Sequence, residues 1–454
     1  MTRATIWEFS LSSFITREVL LKKLFFIAIL STLCFAQGDA YLRITDYGTG
    51  VMRLAVPDFV PRFDNFGAEW DSVMLELSNV LRADLRFSPF LDVIDSSLYP
   101  QKGVTDPKDL DPFGWTALNA HAVVLTQFDT DGRRVSLKVG IYSANNRSRI
   151  MRRDYQASAV QARRLVHRIS DDIHKALTGE DGVAQTQIAF VSTRIGGIKD
   201  IWVCDYDGYA PRRITDSRSI ALTPNWSPSG DKITYTSYKN DSPDLYMFDI
   251  YKERETMVAN HEGPNLTSVW SPDGRYICYS RIADNNSELF LKDVRTGDET
   301  RLTYTPHAIE TSPTFSPTGR EIAFTSDRSG SPQIYIMDMM GTYCRRLTYE
   351  GRYNDTPDWS PRGDKICYTS RTDHGFQIAI IDVAYGDPIY LTSVGSNRSP
   401  RWSPDGYHIV FSSNRTGTYH LYTMNWDGSD VRRITRAGAN TEPAWSRRYK
   451  WSFD

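Results

Sequence analysis

Trp226-Ser-Pro-Ser-Gly230, Trp270-Ser-Pro-Asp-Gly274, Phe315-Ser-Pro-Thr-Gly319, Trp359-Ser-Pro-Arg-Gly363 and Trp402-Ser-Pro-Asp-Gly406 repeat one phrase, and Trp445-Ser446-Arg447-Arg448 is a degenerate sixth copy. The copies are 43 to 45 residues apart. A period of that length, with several short strand signals inside each unit, marks a β-propeller. An aromatic ends one strand, Pro presets the backbone angle of the turn, and Gly takes the conformation other residues resist. The repeated aromatics are therefore expected to fill the wedges between neighbouring sheets.

Each unit divides into four strands. After the aromatic strand comes a second, as in Ile233-Thr-Tyr-Thr-Ser237 or Ile409-Val-Phe-Ser-Ser413. A third ends on an aspartate, as in Leu245-Tyr-Met-Phe-Asp249 and Ile334-Tyr-Ile-Met-Asp338, placed to satisfy backbone groups of the next turn. The fourth is marked by Arg301-Leu-Thr303, Arg345-Arg-Leu-Thr348 and their counterparts. Ile188 to Ser192 opens the array with a second strand and no first. Glu442-Pro-Ala-Trp445 supplies a first strand with little after it. The economical solution is that the carboxy-terminal strand completes the opening blade, closing six blades into a ring without a free sheet edge.

Upstream, Met52-Arg-Leu-Ala-Val-Pro57 reads as a strand. Trp70, Met74, Leu77, Leu81 and Leu85 lie on one face of a helix, and Leu91 to Ile94 is a strand. His121–Phe128 and Arg133–Tyr142 form a hairpin around Asp131-Gly132, the pair expected to supply positive backbone angles. A second helix is capped by Ser158, aligns Leu165, Ile169, Ile173 and Leu177, and stops at Gly179. His167 and His174 share a side of it, but no third metal ligand is near, so they read as solvated or capping groups. The fold class is thus an α/β amino-terminal domain followed by an all-β six-bladed β-propeller closed by the carboxy-terminal strand. The expected boundaries are a signal region at 1–40, the α/β domain at 41–182 and the propeller at 183–454.

Lys plus Arg number 53 against 55 Asp plus Glu, a net charge of −2 that supplies no field for nucleic acid or an anionic membrane. The five cysteines lack the C-x-x-C spacing of zinc or redox sites, and Cys278 and Cys367 read as buried thiols. Lys22-Lys23, the apolar run Leu24 to Phe35, then Ala36 and Ala40 read as a secretory signal too short to span a bilayer. The polar stretch before Leu20 reads as an over-extended start. The expected protein is exported, not inserted in a membrane, and monomeric.

Two function classes compete. A propeller can gate a serine peptidase, but no G-x-S-x-G elbow, phosphate loop or zinc signature occurs, so no catalytic residue, metal or cofactor is assigned. A binding module fits better, because the polar steps before each innermost strand should rim the channel mouth. The candidate partner-binding residues there are Thr223, Thr267, Thr311, Ser312, Asp355, Thr356, Ser399 and Glu442.

The signal, the α/β domain, the helix Val166-His-Arg-Ile-Ser-Asp-Asp-Ile-His-Lys-Ala-Leu-Thr-Gly179, its continuation into Gln187-Ile-Ala-Phe-Val-Ser192 and the six blades, in this order, resemble the TolB family of the Gram-negative periplasm. The resemblance implies a non-enzymatic adaptor of the Tol-Pal system, acting in outer-membrane integrity and constriction at division. It implies two partners: the peptidoglycan-associated lipoprotein Pal at the propeller, and TolA of the inner membrane at the mature amino terminus. By position, Leu42, Arg43, Ile44, Thr45 and Asp46 match the TolA-binding segment. The family's Thr-Glu-Pro rim spelling survives at Thr441-Glu442-Pro443, whereas Thr311-Ser312-Pro313 lacks the carboxylate. The alternative is a periplasmic propeller that binds cell-wall glycan directly.

Overall fold

The computed structural model describes residues 50–63, 67, 70–216, 218–384 and 386–448. The signal expected at 1–40 and the segment Leu42 to Asp46 lie outside the described residues.

The strand Asn440–Trp445 pairs antiparallel with Gln187–Ser192, setting Trp445 opposite Ile188. That pairing completes blade one, whose other strands are Asp200–Asp205 and Arg212–Arg213. Blades two to six start with the innermost strands Ala221–Trp226, Asn265–Trp270, Glu310–Phe315, Asn354–Trp359 and Asn397–Trp402, each opening a four-stranded sheet. The closure expected from the sequence is the observed one.

Core clusters lie between blades. Trp226 packs with Val191 and Val203 of blade one and Tyr235 of its own, and Trp402 with Cys367 and Ile380 of blade five. The aromatics are wedges, and two indoles also stitch blades together. Trp226 Nε1 donates to the Ala444 carbonyl and Trp402 Nε1 to that of Asp358, each at 3.1 Å. Asp249, Asp293 and Asp338 each accept two backbone N–H bonds from the turn that follows, as their placement predicts. Cys278 and Cys367 are buried free thiols.

The fourth strands are shorter than the sequence suggests. In blades one, four, five and six only two residues pair, and the following Leu-Thr or Ile-Thr leaves the ladder. The Thr hydroxyl replaces the missing carbonyl: Thr215, Thr348, Thr392 and Thr435 accept the N–H of the third strand at 2.8 to 3.0 Å.

The amino-terminal layer is a six-stranded sheet of β1 (Met52–Ala55), β2 (Val60–Pro61), β3 (Leu91–Val93), β4 (Ala122–Thr130), β5 (Arg134–Ser143) and β6 (Arg149–Ser158), in the order β3-β1-β4-β5-β6 with β2 beside β4. Helices α1 (Asp71–Leu85) and α3 (Ala162–Thr178) pack against each other, α3 also against β5 and β6, burying Met74, Leu77, Leu81, Leu165, Ile169 and Ile173. The short α2 (Pro112–Ala117) belongs to a second cluster around Trp115.

Three local expectations are corrected. Only Gly132 takes a positive φ (84°); Asp131 instead accepts the N–H bonds of Arg133 and Arg134 on its carboxylate. Ser158 makes no capping bond, because a single 3-10 turn, Ala159–Gln161, separates it from α3. His167 and His174 are buried rather than solvated.

Candidate partner-binding rim

Every innermost strand has six residues, and the third has a positive φ in all six blades: Thr223 (50°), Thr267 (31°), Ser312 (52°), Thr356 (51°), Ser399 (52°) and Glu442 (51°). A side chain in that region crowds the neighbouring carbonyl, a strain of roughly 1–3 kcal/mol per residue. Pairing with the second strand slips at this step in every blade, so it is a bulge. The next residue is Pro in five blades and Ser268 in the other. Proline has no N–H to lose when the ladder breaks. Six of the eight candidate rim residues are therefore one structural position, and Thr311 and Asp355 are the residues just before it.

The bulge is held from the neighbouring blade. Thr223 N–H donates to Glu442 Oε2 at 2.7 Å, Ser312 N–H to Thr267 Oγ1 at 3.3 Å, Ser399 N–H to Thr369 Oγ1 at 3.0 Å and Glu442 N–H to Ser412 Oγ at 3.1 Å. Asp355 accepts from Thr325 Oγ1, Tyr353 OH and the Thr356 N–H, at 2.9, 2.9 and 2.6 Å. Hydroxyls and carboxylates of the rim thus act as staples between blades. Burial in the channel pushes the Glu442 carboxyl above the usual range, with the Thr223 N–H pulling the other way.

What differs from blade to blade is the second residue: Leu222, Leu266, Thr311, Asp355, Arg398 and Thr441. Arg398 is exposed, its guanidinium 3.8 Å from the centre of the Phe376 ring, and Phe376 meets Tyr353 edge to face at 5.6 Å. This Tyr-Phe-Arg cluster between blades five and six was not among the candidates. Its signal in the sequence is Phe376, which stands where the preceding blade has Pro332. That exchange lets the hairpin Lys365–Thr372/Gly375–Asp382 extend, bringing an aromatic ring to the mouth.

Behind the rim lies a channel cavity of about 670 Å³, lined by the wedge aromatics, the Ser-Pro turns and the fifth residues of the inner strands, among them Asp358 and Arg401. Burial raises the Asp358 carboxyl to about 6, against the pull of Arg401 and of the Trp402 N–H at 2.7 Å.

At the other mouth the cavity meets Asp181, Gly182, Arg447 and Arg448. There Arg448 reaches Asp171 at 3.4 Å, Asp181 at 3.5 Å and Asp172 at 3.9 Å. Asp171 also accepts the N–H groups of Ala184 and Gln185 at 2.9 and 3.1 Å. Beside it Phe87 stacks on His408 at 4.0 Å, and Asp84 accepts from Tyr206 OH at 2.6 Å and pairs with His167 Nδ1 at 2.8 Å. The two helix histidines therefore belong to the contact between α/β layer and propeller; His174 Nε2 meets Ser88 Oγ at 2.9 Å and its Nδ1 the Glu180 carbonyl at 3.0 Å.

A profile of the TolB β-propeller domain matches residues 174–449, and one of the TolB amino-terminal domain matches residues 40–150. The chain belongs to the TolB family. The Tol-Pal system protein TolB of Bordetella parapertussis is 32% identical over 319 residues, 69% of either chain. The TolB of Desulfosudis oleivorans is 34% identical over 237 residues, 51% of this chain and 52% of that protein, so the chain spans about half the length of that relative. The crystal structure of TolB from Acinetobacter baumannii superposes with a TM-score of 0.76 at 26% identity, covering 87% of this chain and 97% of that one. The TolB propeller and amino-terminal layer thus occur here in the same order. Among the described residues no cluster of three or more His, Cys, Asp or Glu could share a metal ion, and no helix is long and apolar enough to cross a membrane.

Proposed function

We propose that this TolB-family chain is a periplasmic, non-enzymatic adaptor of the Tol-Pal system. Its rim takes a Pal-type lipoprotein, and its mature amino-terminal segment, around Leu42, Arg43, Ile44, Thr45 and Asp46, takes a TolA-type inner-membrane protein. By linking the two, it would serve outer-membrane integrity and constriction at division. The observation that carries the rim assignment is the division of labour within the inner strands. The third position is largely tied up in holding the blades, whereas the second varies and, apart from the Asp355 carboxylate that itself bridges blades, offers two leucines and an Arg398-Phe376-Tyr353 cluster. Aromatic and Arg anchors at the centre of a concave surface are what protein interfaces use. The amino-terminal assignment rests on the family resemblance and the names of the relatives.

Immobilised protein should retain a Pal-type lipoprotein from an envelope extract. Arg398→Glu should weaken that retention at least about tenfold with the melting temperature unchanged, the loss of one interface anchor. Deleting residues 41–50 should abolish TolA binding and leave Pal binding intact. Retention of purified peptidoglycan with no protein present would replace this reading with direct glycan binding.

A further inference from the structure

The outer edge of the α/β sheet is β6, ten residues long, with no strand beyond it among the described residues. Met151, Tyr155 and Ala157 turn inward and are buried, and the Tyr155 hydroxyl donates to Asp172 of α3 at 2.9 Å. Arg149, Arg152, Asp154 and Gln156 are exposed. Residues 147–154 contain four arginines and one aspartate. Arg153 reaches Asp172 at 3.2 Å, but Arg149 and Arg152 make no ion pair among the described residues.

A bulge decides where those two charges point. Tyr142 pairs with Arg149 and Ile141 with Met151, so Ile150 is skipped and the alternation resets. Arg152 pairs with Gly140, two residues from Tyr142 on β5, which puts Arg149 and Arg152 on the same face of the strand. Without the bulge they would lie on opposite faces.

An open edge of this length offers a row of unpaired N–H and C=O groups, and proteins either shorten such edges or charge them. The opposite edge, β3, is shortened to three residues. β6 is charged, with arginine in excess: Arg149 and Arg152 share their face with one carboxylate, Asp154, which stands opposite Lys138 of β5. Two copies of β6 side by side would bring six arginines together with only two aspartates, and a neutral strand would gain nothing from them. A strand carrying carboxylates at every second residue would place one beside Arg152 and another beside Arg149.

We infer that β6 is a strand-addition site for an extended acidic segment of a partner protein, which joins the α/β sheet as its next strand with alternate carboxylates against Arg149 and Arg152. The backbone ladder supplies the binding and the two arginines the selectivity. The site is separate from the rim and does not depend on what the rim binds.

The test uses the mature chain and a labelled ten-residue peptide of alternating Val and Glu, followed by anisotropy at low salt. Saturable binding is expected, together with slowed amide exchange over residues 149–158. Arg149→Glu/Arg152→Glu should weaken it at least about tenfold, since two opposite-charge pairs become like-charge pairs. The milder Arg149→Gln/Arg152→Gln pair, checked for an unchanged melt, should weaken it less. A peptide of the same charge with two central prolines should not bind, because proline cannot join the ladder. Equal binding of the proline peptide, or of an alternating Val/Lys peptide, would overturn the inference. So would no saturable binding, or dimerisation of the chain at high salt that β6 variants abolish.

Discussion

The two mouths of the channel are made by the same six strands, yet they have opposite chemistry. At the turn end the Ser-Pro loops meet chain that is not part of the repeat: Asp181, Gly182, Arg447 and Arg448, with α1 and α3 packed behind them. At the rim end the repeat itself forms the surface. Five of the six strained residues bond to a neighbouring blade, and the residue before each varies from blade to blade. Six-fold repetition builds a ring whose two ends differ already in the repeat, with Ser-Pro turns at one and bulged strand starts at the other. The connector and the carboxy-terminal tail cover one end of the channel and leave the other to the repeat alone.

The contrast can be broken most severely at the seam. Removing residues 442–454 takes away Ala444 and Trp445, which belong to two core clusters, and exposes the inner edge of Gln187–Ser192. We expect loss of the cooperative melt and aggregation, a destabilisation of about 5 kcal/mol or more from lost burial and an opened edge. A truncated chain that melts like the whole one, by circular dichroism, would mean the ring does not need its closing strand.

A smaller effect separates the ends. Asp171→Ala leaves the N–H groups of Ala184 and Gln185 without their acceptor and Arg448 without its buried partner. It should cost about 3 kcal/mol, the usual penalty for orphaned buried donors and a broken buried pair. Denaturant midpoints would measure it. If the turn end is structural, the affinity of the rim for its partner stays within about twofold, the scatter expected of sites that share no contacts. Stability unchanged and rim affinity lost would exchange the roles of the two mouths.

The parts of this molecule that repeat were legible, and the parts that do not were only partly so. Trp-Ser-Pro-x-Gly carries its own geometry, because Pro and Gly each impose a backbone angle and the aromatic must be buried. Ring closure followed from counting strands. β6 was missed because Arg149-Ile-Met-Arg-Arg-Asp-Tyr-Gln-Ala-Ser158 hides its alternation behind a bulge and an exposed Arg153 at a position of the helix-side face, where it pairs with Asp172. His167 and His174 were misplaced because what surrounds them, Asp84 and Tyr206 for the one and Ser88 and Phe90 for the other, is remote in sequence. At the rim six of the candidate positions fall on one bulged step, whose structural role was not visible: a Thr before Pro reads as an exposed polar step, and only its positive φ and its cross-blade bonds identify it as a staple. Arg398 and Phe376 were passed over because each is the exception in its column of the repeat, and a reading built on repetition attends to the rule.

The smallest effect concerns the boundary between the two ends, and Asp358 marks it. Its carboxyl, raised from 3.8 to about 6 inside the channel, takes up a proton more readily in the folded chain than in the unfolded one. Stability supplied by that protonation is complete below 3.8 and is lost as pH rises through about 6. Asp358→Asn keeps an acceptor for the Trp402 N–H but cannot titrate, so it should flatten this part of the pH dependence. Between acid and neutral pH the wild type should lose about 1 kcal/mol more than the variant, less than a dry site would give because the open mouth admits water. Parallel curves for the two proteins would mean that Asp358 is hydrated as in bulk, and the rim would then extend down the channel to the level of the wedge aromatics. A clear difference places the desolvated, structural part of the channel immediately behind the ring of staples.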